Sequence, residues 1–399
     1  MHEHLAIVAI FVFVYSLIAG LVERSVLSGP IIFVLTGVAL GPLGLGIFPA
    51  DESRVMVRNF ADLTLALFLF IDAANADLRT LRTRFHIPAR MLIIGLPGAI
   101  VLGGVLALFI FDVLSLYEAM IVGVMLAATD AALGKPVITN KDVPERLREG
   151  LNAESGLNDG LCVPILLALI ALELASEETI GSGEIARLFA SELGLGVLVG
   201  VTTATSGAFA FALAVKRGWA NPVWEQMTTV ALAIACFAIA QSVHASGYIA
   251  AFSGGLMFGY LAHNHTHALV HAAEGIAEVL ALLTWFLFGY AVLAQVFGMM
   301  SWTVILYAIL SLTIVRMLPI YISMTGSGET PQTKLFLGWF GPRGLASIVF
   351  AIIVIDHDLP NAELMGLIVI CTVVFSLFAH GVTGTHLSKW IARQERRRS

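Results

Sequence analysis

Apolar runs long enough to cross a bilayer recur from one end of this chain to the other. A helix needs about 20 apolar residues to span the hydrocarbon. Thirteen stretches qualify as candidates, over residues 5–22, 29–48, 55–73, 90–112, 117–136, 148–173, 186–215, 223–243, 247–262, 272–297, 301–324, 333–355 and 363–386. Inside a membrane every backbone polar group needs an internal partner, which leaves helices as the spanning element for runs of this length. Of the 399 residues only 13% are charged and 58% are hydrophobic, whereas a soluble domain carries roughly 25% charged residues. The reading is an all-α polytopic membrane protein of about thirteen transmembrane helices, with no room for a soluble domain between them. The net charge of −6 says little about partners, and no nucleic-acid partner is expected.

The loops set an orientation. Thirteen spans put the termini on opposite sides. With the C-terminus cytoplasmic, the inward loops hold Arg24, Arg79, Arg82, Arg84, Arg90, Lys141, Arg146, Arg148, Lys216, Arg217, Lys334, Lys389, Arg393, Arg396, Arg397 and Arg398. The outward loops hold Arg54, Arg58 and Arg187, and Lys135, Arg316 and Arg343 lie at membrane depth. An excess of basic residues marks the cytoplasmic side, so the expectation is N-out and C-in, in an inner or plasma membrane. The start, Met1-His2-Glu3-His4, has no basic segment or cleavage site and reads as the start of a retained helix. Cys162, Cys236 and Cys371 lie within spans and lack metal-ligand spacing, so no disulfide framework is expected.

Two spans look interrupted. Ala127-Ala128-Thr129-Asp130-Ala131-Ala132-Leu133-Gly134-Lys135-Pro136 lies in the fifth, and Gly338-Trp339-Phe340-Gly341-Pro342-Arg343-Gly344-Leu345 in the twelfth. Each combines Gly and Pro with charge in mid-membrane. Two such breaks in corresponding halves point to an inverted-repeat transporter whose unwound backbone lines a cavity; the alternative is a pair of ordinary proline kinks. The second span, from Ser28-Gly29-Pro30 to Gly41-Pro42, has no charge and reads as packing.

The sixth span carries the densest polar chemistry: Asn152-Ala153-Glu154-Ser155-Gly156-Leu157-Asn158-Asp159-Gly160. An ionisable group at the bilayer centre costs roughly 2.5–3.5 kcal/mol on insertion scales, so acids kept here have work to do. Residues four apart share a helix face. Ser155 therefore stacks with Asp159, and Glu154 with Asn158. Thr129 and Asp130 can approach from the broken fifth span. Hard cations take oxygen ligands of these kinds. A carboxylate in an apolar cavity holds a proton more tightly, and a nearby cation displaces it, which is the minimum machinery for exchange. A polar network that only ties helices together is the alternative.

Three basic residues at membrane depth need partners. A buried arginine stays protonated and must be paired, and Glu154 is the candidate for Arg316, which leaves Asp159 free to titrate. Lys135 and Arg343 sit at the breaks, where they can offset the partial negative charge of half-helix carbonyl ends. In the third span Asp62 precedes Asp72, and Asp72 lies near the cytoplasmic end, either lining an inner funnel or in a solvated helix end. His263, His265, His267 and His271 read as a polar loop rather than a metal site or pH sensor. Trp285, Trp302 and Trp339 read as packing or interfacial anchors. No His-Glu-x-x-His and no phosphate-binding Gly-x-x-x-x-Gly-Lys-Ser/Thr string occurs, which disfavours a zinc peptidase and direct use of ATP.

Thr129-Asp130, Pro144-Glu145-Arg146-Leu147, the Glu154–Gly160 string and Gly341-Pro342-Arg343-Gly344 together resemble the NhaP-type sodium/proton antiporters of the monovalent cation:proton antiporter-1 family. The resemblance covers nearly the whole chain. It implies two broken helices that cross and an elevator-type antiporter exchanging Na⁺ for H⁺. Core helices at about 85–175 and 300–388 would move against interface helices at about 1–80 and 185–298, in a homodimer without cofactors. Asp159 would match the family's ion- and proton-binding aspartate, with Na⁺ held at Asp159, Ser155 and Thr129 and supported by Asp130. Asn158 would match the Asn that accompanies electroneutral exchange, and Glu154–Arg316 the buried ion pair. Asp72 is carried over as a further ligand, although its position is shifted. Ala131 departs from the family's usual Pro, and the family's long cytoplasmic C-terminal domain does not follow the last span. K⁺/H⁺ exchange, proton coupling to another small solute and, further off, an ion channel are the competing readings.

Overall fold

A computed structural model describes residues 2–22, 27–48, 53–76, 86–177, 182–262 and 266–396. Among these residues every regular element is a helix. The chain runs through α1 (His2–Val22), α2 (Gly29–Leu40), α3 (Ser53–Asn75) and α4 (His86–Ile110), the last containing a π-turn at Met91–Gly95. The fifth passage is divided into α5a (Leu116–Met125) and α5b (Ala131–Ile138). Next come α6 (Glu145–Glu177), α7 (Ser182–Lys216), α8 (Pro222–Ser242) and α9 (Gly247–Ala262). α10 (Thr266–Leu287) continues through a π-turn at Phe288–Val292, and α11 (Trp302–Ser323) follows. The twelfth passage is divided into α12a (Pro331–Trp339) and α12b (Leu345–Asp356), and α13 (Ala362–Arg396) closes the described chain.

Seven of these helices are individually long and apolar enough to cross a membrane, and five shorter apolar helices accompany them. With α3 and the two divided passages counted whole, the helices among the described residues number thirteen. Local signals fix several ends. Ser115 and Glu118 form a reciprocal capping box at the start of α5a, and Thr330 caps α12a with Pro331 behind it. Span 2 is shorter than its apolar run. α2 stops at Leu40 because Gly41-Pro42 follows, and the residue before a proline avoids the helical region. At about 1.5 Å per residue its twelve residues rise only about 18 Å.

The helices pack in two groups. α4, α5a, α5b, α6, α11, α12a, α12b and α13 contact one another, and α2, α3, α7, α8, α9 and α10 contact one another. Across the boundary α3, α7 and α9 meet α6, α3 and α10 meet α12b, and α2 meets α13. The two interrupted passages lie inside the first group, where one extended strand of backbone crosses the other. The Asp130 N–H donates to the Pro342 carbonyl at 2.8 Å.

Candidate functional site

The site is built from α6 outward. Glu154, Ser155, Asn158 and Asp159 are all buried. Glu154 accepts two hydrogen bonds from the Arg316 guanidinium, at 2.8 and 3.0 Å, with both side chains 1% exposed. Such a fork-on-carboxylate geometry is the strong form of a charge-assisted bond. The Asn158 amide donates to the Ala127 carbonyl at 3.0 Å and to Glu154 at 3.2 Å, and its oxygen faces Cys162 Sγ at 3.2 Å. Both polar ends of Asn158 are therefore spent on protein partners. Ser155 donates to the Thr129 carbonyl at 2.6 Å, and the Thr129 hydroxyl lies 3.3 Å from Ser155 Oγ.

The two breaks expose four half-helix ends, whose free N–H and C=O groups each need a partner. One side chain serves both amino ends. Asp130 accepts from Leu133 N at 3.3 Å at the start of α5b and from Leu345 N at 3.0 Å at the start of α12b. A carboxylate between two helix amino ends also sits at the positive pole of both dipoles. Gly344 makes this possible, because a Cβ there would occupy the place of the Asp130 carboxylate. The carbonyl end of α5a is covered by Arg343, whose Nη1 reaches the Ala127 and Ala128 carbonyls at 3.3 Å each, by Asn158, and by Ser347 on the Met125 carbonyl at 2.7 Å. The carbonyl end of α12a is covered by His380 of α13, whose Nε2 lies 2.9 Å from the Trp339 carbonyl.

Asp159 stands apart from this pairing. It is buried, and its Oδ1 has no hydrogen-bond partner in the protein. The carboxylates of Asp130, Asp72 and Glu154 all lie within electrostatic range of it. A cavity of ≈ 690 Å³ leads toward it, lined among others by Asp72, Asn75, Glu145, Glu149, Glu274 and Glu329 and ending on Asn152, Ala153, Gly156 and Leu157. Asp159 is one helical turn beyond that floor. Asp72 packs directly on Gly156, where an added Cβ would meet the Asp72 Cβ at 3.0 Å. The lining holds five acids against one arginine, Arg146, which is paired with Glu329 at 3.0 Å, and a wall with an excess of one sign concentrates ions of the other.

The structure thus brings Thr129, Asp130, Glu154, Ser155, Asn158, Asp159, Arg316 and Arg343 into one buried cluster, with Asp72 between it and the cavity. The side chain of Lys135 and the loop histidines 263, 265 and 267 lie outside the described residues. His271 lies 3.5 Å from Glu274 on the surface. Asp62 lies near the middle of α3, where it accepts from the Tyr248 hydroxyl at 2.7 Å, beside an Arg58–Asp356 ion pair of 2.8 Å. Trp285 is fully buried and Trp302 exposed. Sequence reasoning missed His380 and Ser376. Their signal was a titratable residue within an apolar span, one turn from a serine on the same face.

The same arrangement of helices is found in known proteins. Residues 8–390 match the sequence profile of the family described as "Sodium/hydrogen exchanger, transmembrane". The chain is 24% identical over 370 residues to the K(+)/H(+) antiporter NhaP2 of Shewanella oneidensis, covering 89% of this chain and 61% of the relative. It is 27% identical over 395 residues to the Na(+)/H(+) antiporter ApNhaP of Aphanothece halophytica, covering 94% of this chain and 73% of that one. It thus spans about three fifths of the length of NhaP2. The fold is shared with the sodium proton antiporter MjNhaP1 of Methanocaldococcus jannaschii, with a TM-score of 0.74, 20% identity and coverage of 98% of this chain and 100% of the other. A profile match across nearly its whole length, on a helical frame with two crossing breaks around a buried aspartate, places this chain in the sodium/hydrogen exchanger transmembrane family.

Proposed function

We propose that this chain is a secondary antiporter that exchanges Na⁺ for H⁺ one for one, with Asp159 holding either ion in turn. One observation carries the reading: among the described residues of the cluster, Asp159 is the buried carboxylate with an oxygen that no protein group meets. Asp130 and Glu154 contribute two negative charges, and Arg316 and Arg343 two positive ones, so these four sum to zero, with Asp72 standing outside them toward the cavity. An ionised Asp159 in that setting is expensive. It is neutralised by a proton or by a monovalent cation, and either one leaves the same net charge. Equal charge in both loaded forms is the condition for electroneutral exchange. The charge count supports it independently of Asn158, whose amide is engaged with Ala127 and Glu154.

Na⁺ would take Asp159 Oδ1, the hydroxyl oxygens of Ser155 and Thr129, and water arriving through the acidic cavity. Asp130 acts on the site through the two half-helices it caps, and Asp72 guards the approach. Alternating access follows the elevator scheme, with the helices at about 85–175 and 300–388 moving against those at about 1–80 and 185–298 in a homodimer, N-terminus out and C-terminus in the cytoplasm. The cavity would then open to the cytoplasmic side.

A second reading replaces Na⁺ by K⁺. It is favoured by the name of the Shewanella relative, while the Aphanothece relative and the solved structure carry sodium in theirs. Proton flux in proteoliposomes, driven in turn by Na⁺, K⁺ and Li⁺ with an imposed membrane potential, decides both questions. The expected result is saturable Na⁺-driven flux that is indifferent to the potential. Flux that follows the potential would overturn one-for-one exchange, and flux driven by K⁺ alone would install the second reading.

A further inference from the structure

His380 is a buried titratable residue to which the exchange chemistry assigns no task. It lies in α13, 3% exposed, against the unwound segment between α12a and α12b. Its Nε2 is 2.9 Å from the Trp339 carbonyl, the last residue of α12a. Nδ1 also faces a carbonyl, that of Ser376 in its own helix at 2.9 Å; we assign the hydrogen to Nε2, which then donates to Trp339 while Nδ1 accepts from the Ser376 hydroxyl. Nδ1 lies 3.1 Å from Ser376 Oγ, and Ser376 Oγ accepts the Arg343 backbone N–H at 2.6 Å. Farther along the same helix, Thr383 Oγ1 accepts from the Trp339 indole at 2.9 Å. Three residues on one face of α13, spaced four and three apart, therefore grip both ends of the segment 339–343.

That segment leads directly to the ion site. Its Pro342 carbonyl takes the Asp130 N–H, its Arg343 side chain takes the Ala127 and Ala128 carbonyls, and Leu345 N is capped by Asp130. The segment 127–130 so held carries Thr129, whose carbonyl and hydroxyl meet Ser155 on the Asp159 face of α6. We propose that His380 is a positioning residue for the exchange: by donating Nε2–H to the Trp339 carbonyl, which also takes the Gly341 N–H at 2.9 Å, it sets where the crossing backbones lie, and through them the oxygen cage around Asp159. The proposal rests on Asp159 being the shared ion site. Misplacement by about 1 Å can cost about a hundredfold in a site that depends on geometry, so the effect falls on cation affinity before turnover.

The test is Na⁺-dependent proton flux in proteoliposomes for His380→Gln, His380→Asn, His380→Leu and Ser376→Ala. Glutamine places an amide N–H where Nε2 stands, asparagine where Nδ1 stands, and leucine offers none. The expected result is a Na⁺ KM raised about tenfold or more in the Leu and Asn variants and within about threefold of the parent in the Gln variant. Ser376→Ala should fall between, with turnover changing less than KM in each. An unchanged KM in all four, with lower thermal stability alone, would overturn the proposal. Should the leucine variant fail to fold, the Gln and Asn pair decides, and equal KM values in the two refute it. Asp159→Asn in the same vesicles separates the two levels. Exchange surviving there rejects the underlying reading, whereas its loss beside unshifted His380 variants rejects this inference alone.

Discussion

Replacing Arg316 by Met removes one half of a pair whose two side chains are each 1% exposed and whose two hydrogen bonds measure 2.8 and 3.0 Å. The consequence can be worked through in both directions. The methionine fills most of the volume, so packing loss is small, and the main cost is a Glu154 carboxylate left buried without a counter-charge. Breaking a buried pair from one side costs about 3–5 kcal/mol. Glu154→Gln incurs a similar cost by leaving the guanidinium unpaired, partly relieved because the amide still accepts one of the two bonds. The double variant has neither charge. Replacing a buried pair by neutral groups of similar volume is often close to neutral, so it should recover most of the loss. The two singles would then be strongly non-additive, with a coupling energy at the upper end of about 0.5–3 kcal/mol or above. The assay is reversible unfolding in mixed micelles of mild and denaturing detergent, run on the parent, both singles and the double. Additive losses would refute the view that these charges answer each other, as would a double variant less stable than either single.

The cavity floor offers a second test. Gly156→Ala puts a methyl group 3.0 Å from the Asp72 Cβ, and overpacking of this kind costs about 1–3 kcal/mol. The Asp72 carboxylate should be displaced and the Na⁺ KM should rise several-fold with the protein still folded, which transport assays on purified protein would show. Gly344→Ala drives a Cβ into the Asp130 carboxylate. It removes two half-helix caps at once, each worth about 0.5–2 kcal/mol, so folded yield by size-exclusion chromatography should fall sharply. Arg58→Gln is the contrast. Its ion pair to Asp356 is as short, 2.8 Å, but the arginine side chain is 50% exposed, so the loss of stability should stay below about 1 kcal/mol in the same unfolding assay that registers Arg316→Met.

Much of the frame was legible because it obeys local rules. Thirteen apolar runs became thirteen passages among the described residues, and the twelfth breaks at its Gly341-Pro342-Arg343-Gly344, whereas the fifth breaks at 126–130, ahead of Gly134 and Pro136, which lie inside α5b. The faces of α6 followed from helical spacing alone, which set Glu154 over Asn158 and Ser155 beside Asp159. Arg316 was readable as a residue in need of a buried acid, and Glu154 was near at hand in kind though 162 residues away in sequence. What could not be read depends on tertiary crossing. Asp130 looks like any intramembrane ligand until Leu345, 215 residues on, is seen to donate to it. His380 has no local signature of its task, because the carbonyl it serves is 41 residues earlier on another helix. The early end of α2 was overridden in the other direction, since a hydrophobic count runs straight through Gly41-Pro42 while the backbone does not.

The central claim is that one carboxylate serves both ions, and the most direct measurement is the number of protons released when the cation binds. Calorimetric titration of Na⁺ into the purified protein, repeated in buffers of different ionisation enthalpy, reports that number without transport. The account predicts one proton released per Na⁺ bound, and neither binding nor release in Asp159→Asn. Na⁺ binding without proton release, or binding that survives Asp159→Asn, would contradict it.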